Sequence, residues 1–295
     1  MRLLLVLALL LVAGCGSAAT ADDPITVVAT TTQVADFARN VGGEHVDVVQ
    51  ILAPNTDPHE YELRPQDVQS VADADVVLRS GGDVDEWIGE AIEGSGTTAP
   101  VVDLSHAVAL HGDDPHWWQD PHNALAATGE IESALAKADP GHKAAYARAA
   151  DAYEARLRRL DRDVRACIDK VPTTQRKLVT THDALGYYAR RYGIQVIGAV
   201  IPSLSTEGQP SAGDTAELIA TIRRAGVKAI FAESSVNPKV EAAIARETGA
   251  TVGRPLWADT LGPEGSDGAT YLQSIAANTD AMADGFSGGR VRCDL

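Results

Sequence analysis

An alternation along the chain sets the first bound on its fold. Short apolar runs of β character recur, and each is followed by a stretch with helical spacing. Runs at 25–29, 46–52, 76–79 and 101–104 alternate with helical patterns at 31–41, 65–72 and 85–92. The pattern returns after Pro172, with strands expected at 177–181, 195–200, 229–232 and 254–258, and helices at 185–192, 214–225, 239–248 and 271–284. Strands separated by helices imply a parallel sheet covered on both faces. Between the two halves the strand signal disappears. Pro140-Gly141 breaks this middle region, and residues 144–171 then read as one helical stretch of about 42 Å at about 1.5 Å per residue. Tyr146, Ala149, Ala150, Tyr153, Leu157, Leu160, Val164 and Ile168 recur at intervals of mostly three and four and give it one apolar face. The expected fold class is therefore α/β, with two lobes, each a mostly parallel sheet flanked by helices. The lobes span 25–135 and 175–295, with 136–174 as the linking helix region.

Ahead of the first strand, Met1-Arg2 precedes an apolar run at 3–13 and then Gly14-Cys15-Gly16-Ser17. A run of roughly eleven residues is too short for a bilayer core, which needs about 20. A charged start, an apolar stretch and small residues at the break describe a secretory signal, here 1–14. Val12-Ala13-Gly14-Cys15 resembles a bacterial lipobox, in which cleavage leaves Cys15 lipidated, and 15–24 reads as a tether. The expected location is outside the cytoplasm: anchored by Cys15 to the outer face of the cell membrane, or periplasmic, with the lipid as the only membrane contact. Cys167 and Cys293 are then an even pair in an oxidising compartment, so a disulfide is expected. With 25 Lys+Arg against 41 Asp+Glu, the net charge of −16 argues against a nucleic-acid partner, because phosphate backbones need compensating cations.

Eight histidines are few enough to take singly. His45 and His142 sit at a turn and a helix start and read as surface residues. His59 follows the second strand, His182 ends the 177–181 strand and Asp259 ends the 254–258 strand. These are the strand-end loops where α/β folds place functional groups. Imidazole with carboxylate suits Zn²⁺ or another first-row metal. Spacing alone leaves open whether these residues share a site or are scattered loop polars.

Longer strings carry a specific resemblance. Asp57-Pro58-His59-Glu60-Tyr61-Glu62-Leu63-Arg64-Pro65-Gln66-Asp67-Val68, then Asp114-Pro115-His116-Trp117-Trp118-Gln119-Asp120-Pro121, then Thr181-His182-Asp183-Ala184-Leu185-Gly186-Tyr187-Tyr188-Ala189 occur in order. Phe231-Ala232-Glu233 comes after them. Together they resemble the zinc- and manganese-binding solute-binding lipoproteins of bacterial ABC importers, the ZnuA/TroA-like family, over essentially the whole mature chain. The resemblance implies four metal ligands: His59, His116, His182 and Asp259. Asp120-Pro121-His122 repeats the Asp-Pro-His string six residues on, but the family pattern places the ligand before the tryptophan. That selects His116 and makes His122 a decoy. Glu233 is a candidate to orient a ligand, with a structural ion pair as the alternative. Many zinc-specific members carry a long His- and Asp-rich loop before the second ligand. Here only a short 104–115 loop is present, with His106 and His111. It reads either as a metal-capture loop or as a solvated acidic loop.

Three imidazoles and one carboxylate fill a tetrahedral shell, and a closed site holds metal without activating water. The resemblance thus implies a high-affinity carrier, not an enzyme, that delivers metal to an ABC permease, with a metallochaperone as a further possible partner and a monomeric state. Three nitrogen donors favour Zn²⁺, with Mn²⁺ the alternative. The competing class is a secreted zinc-dependent hydrolase that uses the same histidines with Asp259 as base. An adhesin role would be compatible with the carrier. The stiff linking helix implies limited closure between the lobes.

Overall fold

The computed structural model describes residues 23–295. The signal segment, Cys15 and nearly all of the tether lie outside the described residues. The first lobe runs β1 (Ile25–Ala29), α1 (Thr32–Gly42), β2 (Val46–Gln50), α2 (Pro65–Ala72), β3 (Val76–Arg79), α3 (Ile88–Ser95) and β4 (Val101–Asp103). The four strands form one parallel sheet in the order β2-β1-β3-β4. Its central strands are apolar on consecutive positions because helices cover both faces: Val27, Val28, Val76 and Val77 are all fully buried. Local chemistry starts the helices. The Thr31 side chain accepts the Val34 N–H to cap α1, and Asp67 reaches back to the Arg64 N–H ahead of Pro65 to start α2.

The middle of the chain is two helices, α4 (Pro121–Ala138) and α5 (Lys143–Ile168). At 26 residues, α5 is about 39 Å long. It buries Tyr146, Ala150, Tyr153, Leu157, Leu160, Val164, Cys167 and Ile168 along one stripe, whereas Ala149 is only half-buried. The helix stops at Ile168 and does not run on to 171. The N–H groups of Lys170 and Val171 bond to carbonyls three residues back, and Pro172 disfavours helical geometry in the residue before it.

The second lobe runs β5 (Lys177–Thr180), α6 (Gly186–Tyr192), β6 (Gln195–Ala199), α7 (Ala212–Ala225), β7 (Ala229–Ile230), α8 (Lys239–Thr248), β8 (Thr251–Val252) and α9 (Tyr271–Ser287). Parallel pairs β5–β6 and β7–β8 are joined where the Phe231 N–H donates to the Val179 carbonyl at 2.9 Å. The resulting order, β6-β5-β7-β8, repeats that of the first lobe.

Two further expectations need correction. The strand expected at 254–258 is not a regular strand. β8 ends at Val252, and beyond it only Leu256 bridges to Glu233. Pro255 has no N–H to give to a ladder, so the segment touches its neighbour at intervals. The helix expected from 85 begins at Ile88, because Asp85 is committed elsewhere. Its buried carboxylate accepts from the Thr30 hydroxyl (2.6 Å), the Ser80 N–H (2.6 Å) and the Gly81 N–H (3.0 Å).

The two sheets share one apolar core through α5. Phe37 of α1 packs edge-on against Tyr271 of α9 at 4.9 Å between centroids, and also meets Trp117 and Tyr153. Cys167 and Cys293 form a disulfide that clips the C-terminal tail to the end of α5.

Candidate metal centre

Four loops at the C-terminal ends of the strands converge between the lobes. The loop after β2 carries His59, and the one after β4 carries His116. His182 follows β5 by two residues, and Asp259 lies in the irregular stretch after β8. One potential ligand atom from each residue lies within 4.8 Å of all the others. The His182 Nε2 is 3.2 Å from Asp259 Oδ2, and the His59 Nε2 is 3.4 Å from the same oxygen. The His116 Nε2 is 3.4 Å from Asp259 Oδ1 and 3.3 Å from the His182 Nε2. His116, His182 and Asp259 are buried, while His59 is half-buried as a residue. Neither Asp259 oxygen nor the His59 Nε2 has a hydrogen-bond partner. Unsatisfied acceptors gathered in a buried place are costly unless a cation or proton sits among them.

A second ring of groups aims the first. The Asp114 Oδ1 lies 2.8 Å from His116 Nδ1 and accepts the His116 backbone N–H at 3.0 Å. The Glu233 Oε1 lies 2.7 Å from His182 Nδ1 and accepts the His182 N–H at 3.1 Å. A carboxylate on Nδ1 fixes the proton there and turns the Nε2 lone pair inward, as in carboxylate–histidine–metal arrangements. Asp57 fixes the His59 loop differently. Its Oδ1 accepts the His59 N–H at 3.0 Å, while its Oδ2 accepts the Thr206 hydroxyl of the second lobe at 2.7 Å.

The Asp259 loop is held from the first lobe. The Trp118 indole N–H and the Gln119 amide both donate to the Ala258 carbonyl, at 3.0 and 2.7 Å, and the Leu261 N–H donates to the Thr32 hydroxyl at 2.8 Å. Gly82, at φ +70°, lies under the His116 loop, where a Cβ would come within 2.8 Å of Pro115.

The electrostatics follow from burial and charge together. Burial disfavours the His182 imidazolium, but the Asp259 and Glu233 carboxylates outweigh it and push its pKa up to about 11. His59 is raised by the same contest, burial against Asp259. Burial alone would raise Asp259, yet His182 and His116 hold it well below the usual carboxylate range. Burial pushes the Glu233 carboxyl up. Without metal, Asp259 and Glu233 thus favour a protonated His182, and a cation that takes the His182 Nε2 displaces that proton.

The other histidines singled out from sequence lie elsewhere. His122 is exposed, at the start of α4, in a groove with Arg158, Asp161 and Arg191. His111 packs its ring on Tyr187 and approaches Arg190, while His106 is exposed in a short turn. His45 and His142 stack on each other at 3.9 Å. Three supports lie outside the residues that the sequence reading assigns a role: Asp114, Asp57 and Thr206. The first two were legible in the strings themselves, since an aspartate two residues before a histidine can accept its N–H.

Residues 27–285 match the family described as zinc-uptake complex component A, periplasmic. The manganese-binding lipoprotein MntA of Bacillus subtilis is 35% identical over 286 residues, covering 91% of this chain and 93% of that one. The iron-binding protein YfeA of Yersinia pestis is 30% identical, covering 88% of this chain and 86% of that one. Among solved structures, the periplasmic zinc-binding protein TroA of Treponema pallidum superposes with a TM-score of 0.83 at 29% identity, covering 89% of this chain and 99% of that one. A family of solute-binding proteins sets aside the hydrolase alternative. With the fold, the convergent loops and this match along most of its length, the chain belongs to the ZnuA/TroA-like family and is an extracytoplasmic metal-binding protein of an ABC importer.

Proposed function

We propose that His59, His116, His182 and Asp259 bind one divalent first-row cation as cargo, and that the favoured cargo is Zn²⁺. The observation that carries the ligand set is the convergence of four ligand atoms, with the His59 Nε2 and both Asp259 oxygens left without hydrogen-bond partners. The preference for zinc rests on the donors. Three imidazole nitrogens and one carboxylate, inside a buried pocket, suit a four-coordinate ion better than an octahedral one that keeps waters. Manganese is the second reading, favoured by the relatives named for it. Lipidated Cys15 would hold the protein at the membrane beside its permease, to which the cargo passes. A metallochaperone could load it.

Affinity alone does not separate the two metals, because zinc outcompetes manganese at most nitrogen–oxygen sites. Coordination number does. Co²⁺ loaded into the purified protein reports it directly through its visible spectrum. Intense bands of tetrahedral Co²⁺, lost when His182 is replaced by Ala, support a four-coordinate zinc site. Weak octahedral bands would sink the zinc preference and favour manganese. No saturable binding of any divalent ion would sink the ligand set.

A further inference from the structure

Beside the cluster lies a cavity of about 280 Å³ that none of the four ligating side chains lines. It runs between the His59 loop and the second lobe. Asp57 and Glu60 stand on one side, with Thr181, Thr206 and Glu241 on the other. Glu60, Gln209 and Asn237 are exposed at its mouth, whereas Thr181, Thr206 and Glu241 are buried. Three carboxylates line it and no lysine or arginine does.

Acidic groups at a surface are normally just solvated, and the floor of this cavity makes it different. Glu241 is 1% exposed. Its Oε1 accepts the Thr181 hydroxyl at 2.7 Å, but its Oε2 is buried with no partner. A lone carboxylate oxygen out of water is unfavourable unless a cation sits against it or a cation's water donates to it. The same Thr181 hydroxyl accepts the Glu233 N–H at 3.1 Å, and Thr181 immediately precedes His182. On the opposite wall, Asp57 holds the His59 backbone, and His59 is the least buried of the four site residues. The cavity thus adjoins two ligands from the side on which the site is most open.

Its dimensions suit a hydrated ion. About six waters at about 30 Å³ each occupy about 180 Å³, within the space available. Among the described residues, only the His59, His116, His182 and Asp259 group converges closely enough to hold a bare ion. The three cavity carboxylates are more widely spread and would act through intervening water.

We propose that this acidic cavity is a staging site, in which a hydrated divalent cation is held before its waters are exchanged for His59 and the buried ligands. The inference rests on the metal-binding reading above. A low-dielectric cleft with one sign of charge raises the local cation concentration and the rate of capture.

Stopped-flow mixing of the purified, metal-stripped protein with Mn²⁺ alone tests it, because Trp118 lies edge-on to His116 at 5.4 Å and reports arrival at the site. Replacing Glu60 and Glu241 together by Gln should lower the association rate constant about tenfold and flatten its dependence on salt. The equilibrium affinity should change by less than about threefold, since a staging site speeds arrival and departure alike. Glu217→Gln, an equal charge change on exposed α7, should leave the rate within about twofold of wild type. If the double variant is not folded by circular dichroism, Glu60→Gln alone decides, with an expected slowing of about threefold. Wild-type rates in the folded Glu60 and Glu241 variants overturn the proposal, as does equal slowing by Glu217→Gln. Absence of a saturable signal in the wild-type protein overturns the metal-binding reading instead.

Discussion

Asp114-Pro115-His116 and Asp120-Pro121-His122 are the same three residues twice, six positions apart, and they do different things. Both form the same local turn. The Asp114 Oδ1 accepts the His116 N–H at 3.0 Å, and the Asp120 Oδ1 accepts the His122 N–H at 2.7 Å. The element after each turn decides the fate of the ring. Beyond His116 the chain makes a short 3₁₀ turn, Trp117–Gln119, whose tryptophans are buried in the core, and the imidazole is carried inward. Beyond Asp120 the chain enters α4, with Pro121 in the first turn and Asp120 as the cap. The buried face of α4 runs through Pro121, Ala124, Thr128, Ile131 and Leu135, so His122 falls off that face and points to solvent. A motif therefore specifies a turn, and the next element specifies its use.

Substitution at the paired positions should separate the two roles. The largest effect is expected at the histidines. His116→Ala should weaken metal binding by more than about 100-fold in equilibrium titrations, beyond what losing a supporting partner usually costs. If His122→Ala did this and His116→Ala did not, the assignment would be reversed. Next come the supporting carboxylates. Asp114→Asn and Glu233→Gln should each weaken binding about 10- to 100-fold, with Glu233 at the upper end because its side chain is the more buried. Equal binding by both variants and the wild type would remove the orienting role.

Acidification should act on the same groups. His182 has a pKa pushed up to about 11 without metal, so at neutral pH a proton must leave when the cation arrives. Affinity should fall about tenfold per pH unit for each proton displaced, and calorimetry in buffers of different ionisation enthalpy counts those protons. The sign for folding is separate. The raised His182 pKa contributes stability to the metal-free protein that is full below about 6.5 and lost as pH rises through about 11. The metal-free melting temperature should accordingly fall on the alkaline side, and Glu233→Gln should shrink that fall. The smallest effects belong to the second string. Asp120→Ala removes a helix cap and an ion pair with Arg191, costing about 0.5–2 kcal/mol in chemical denaturation with metal affinity unchanged. His122→Ala should stay within about 0.5 kcal/mol of wild type.

The same contrast explains what the sequence could reveal. Elements whose signals are local were legible: β1, α2, β3 and α8 fall where periodicity and capping place them. His59 and His182 stood out because they come after strands. Local signals mislead where distant residues decide. Asp85 carries a helix-like context but serves as an acceptor for Thr30, some 55 residues away. The 254–258 run is apolar enough for a strand, yet Pro255 interrupts its ladder and the first lobe claims its carbonyl at Ala258. No local pattern encodes the Thr206–Asp57 bond, which joins the two lobes through residues 149 apart in sequence. Nor does any pattern announce the cavity that it borders.

The four convergent side chains come from four separate loops, and Asp259 comes late in the chain, just ahead of the closing helix α9. No short stretch of the polypeptide contains more than one of them in binding geometry. Choice of cargo is thus a property of the folded protein and not of any one segment of the chain. An unfolded copy offers isolated histidines that a soft cation can visit and leave. Selection begins only once folding has brought the loops of both lobes together, so the metal pool that matters is that of the compartment in which folding is completed.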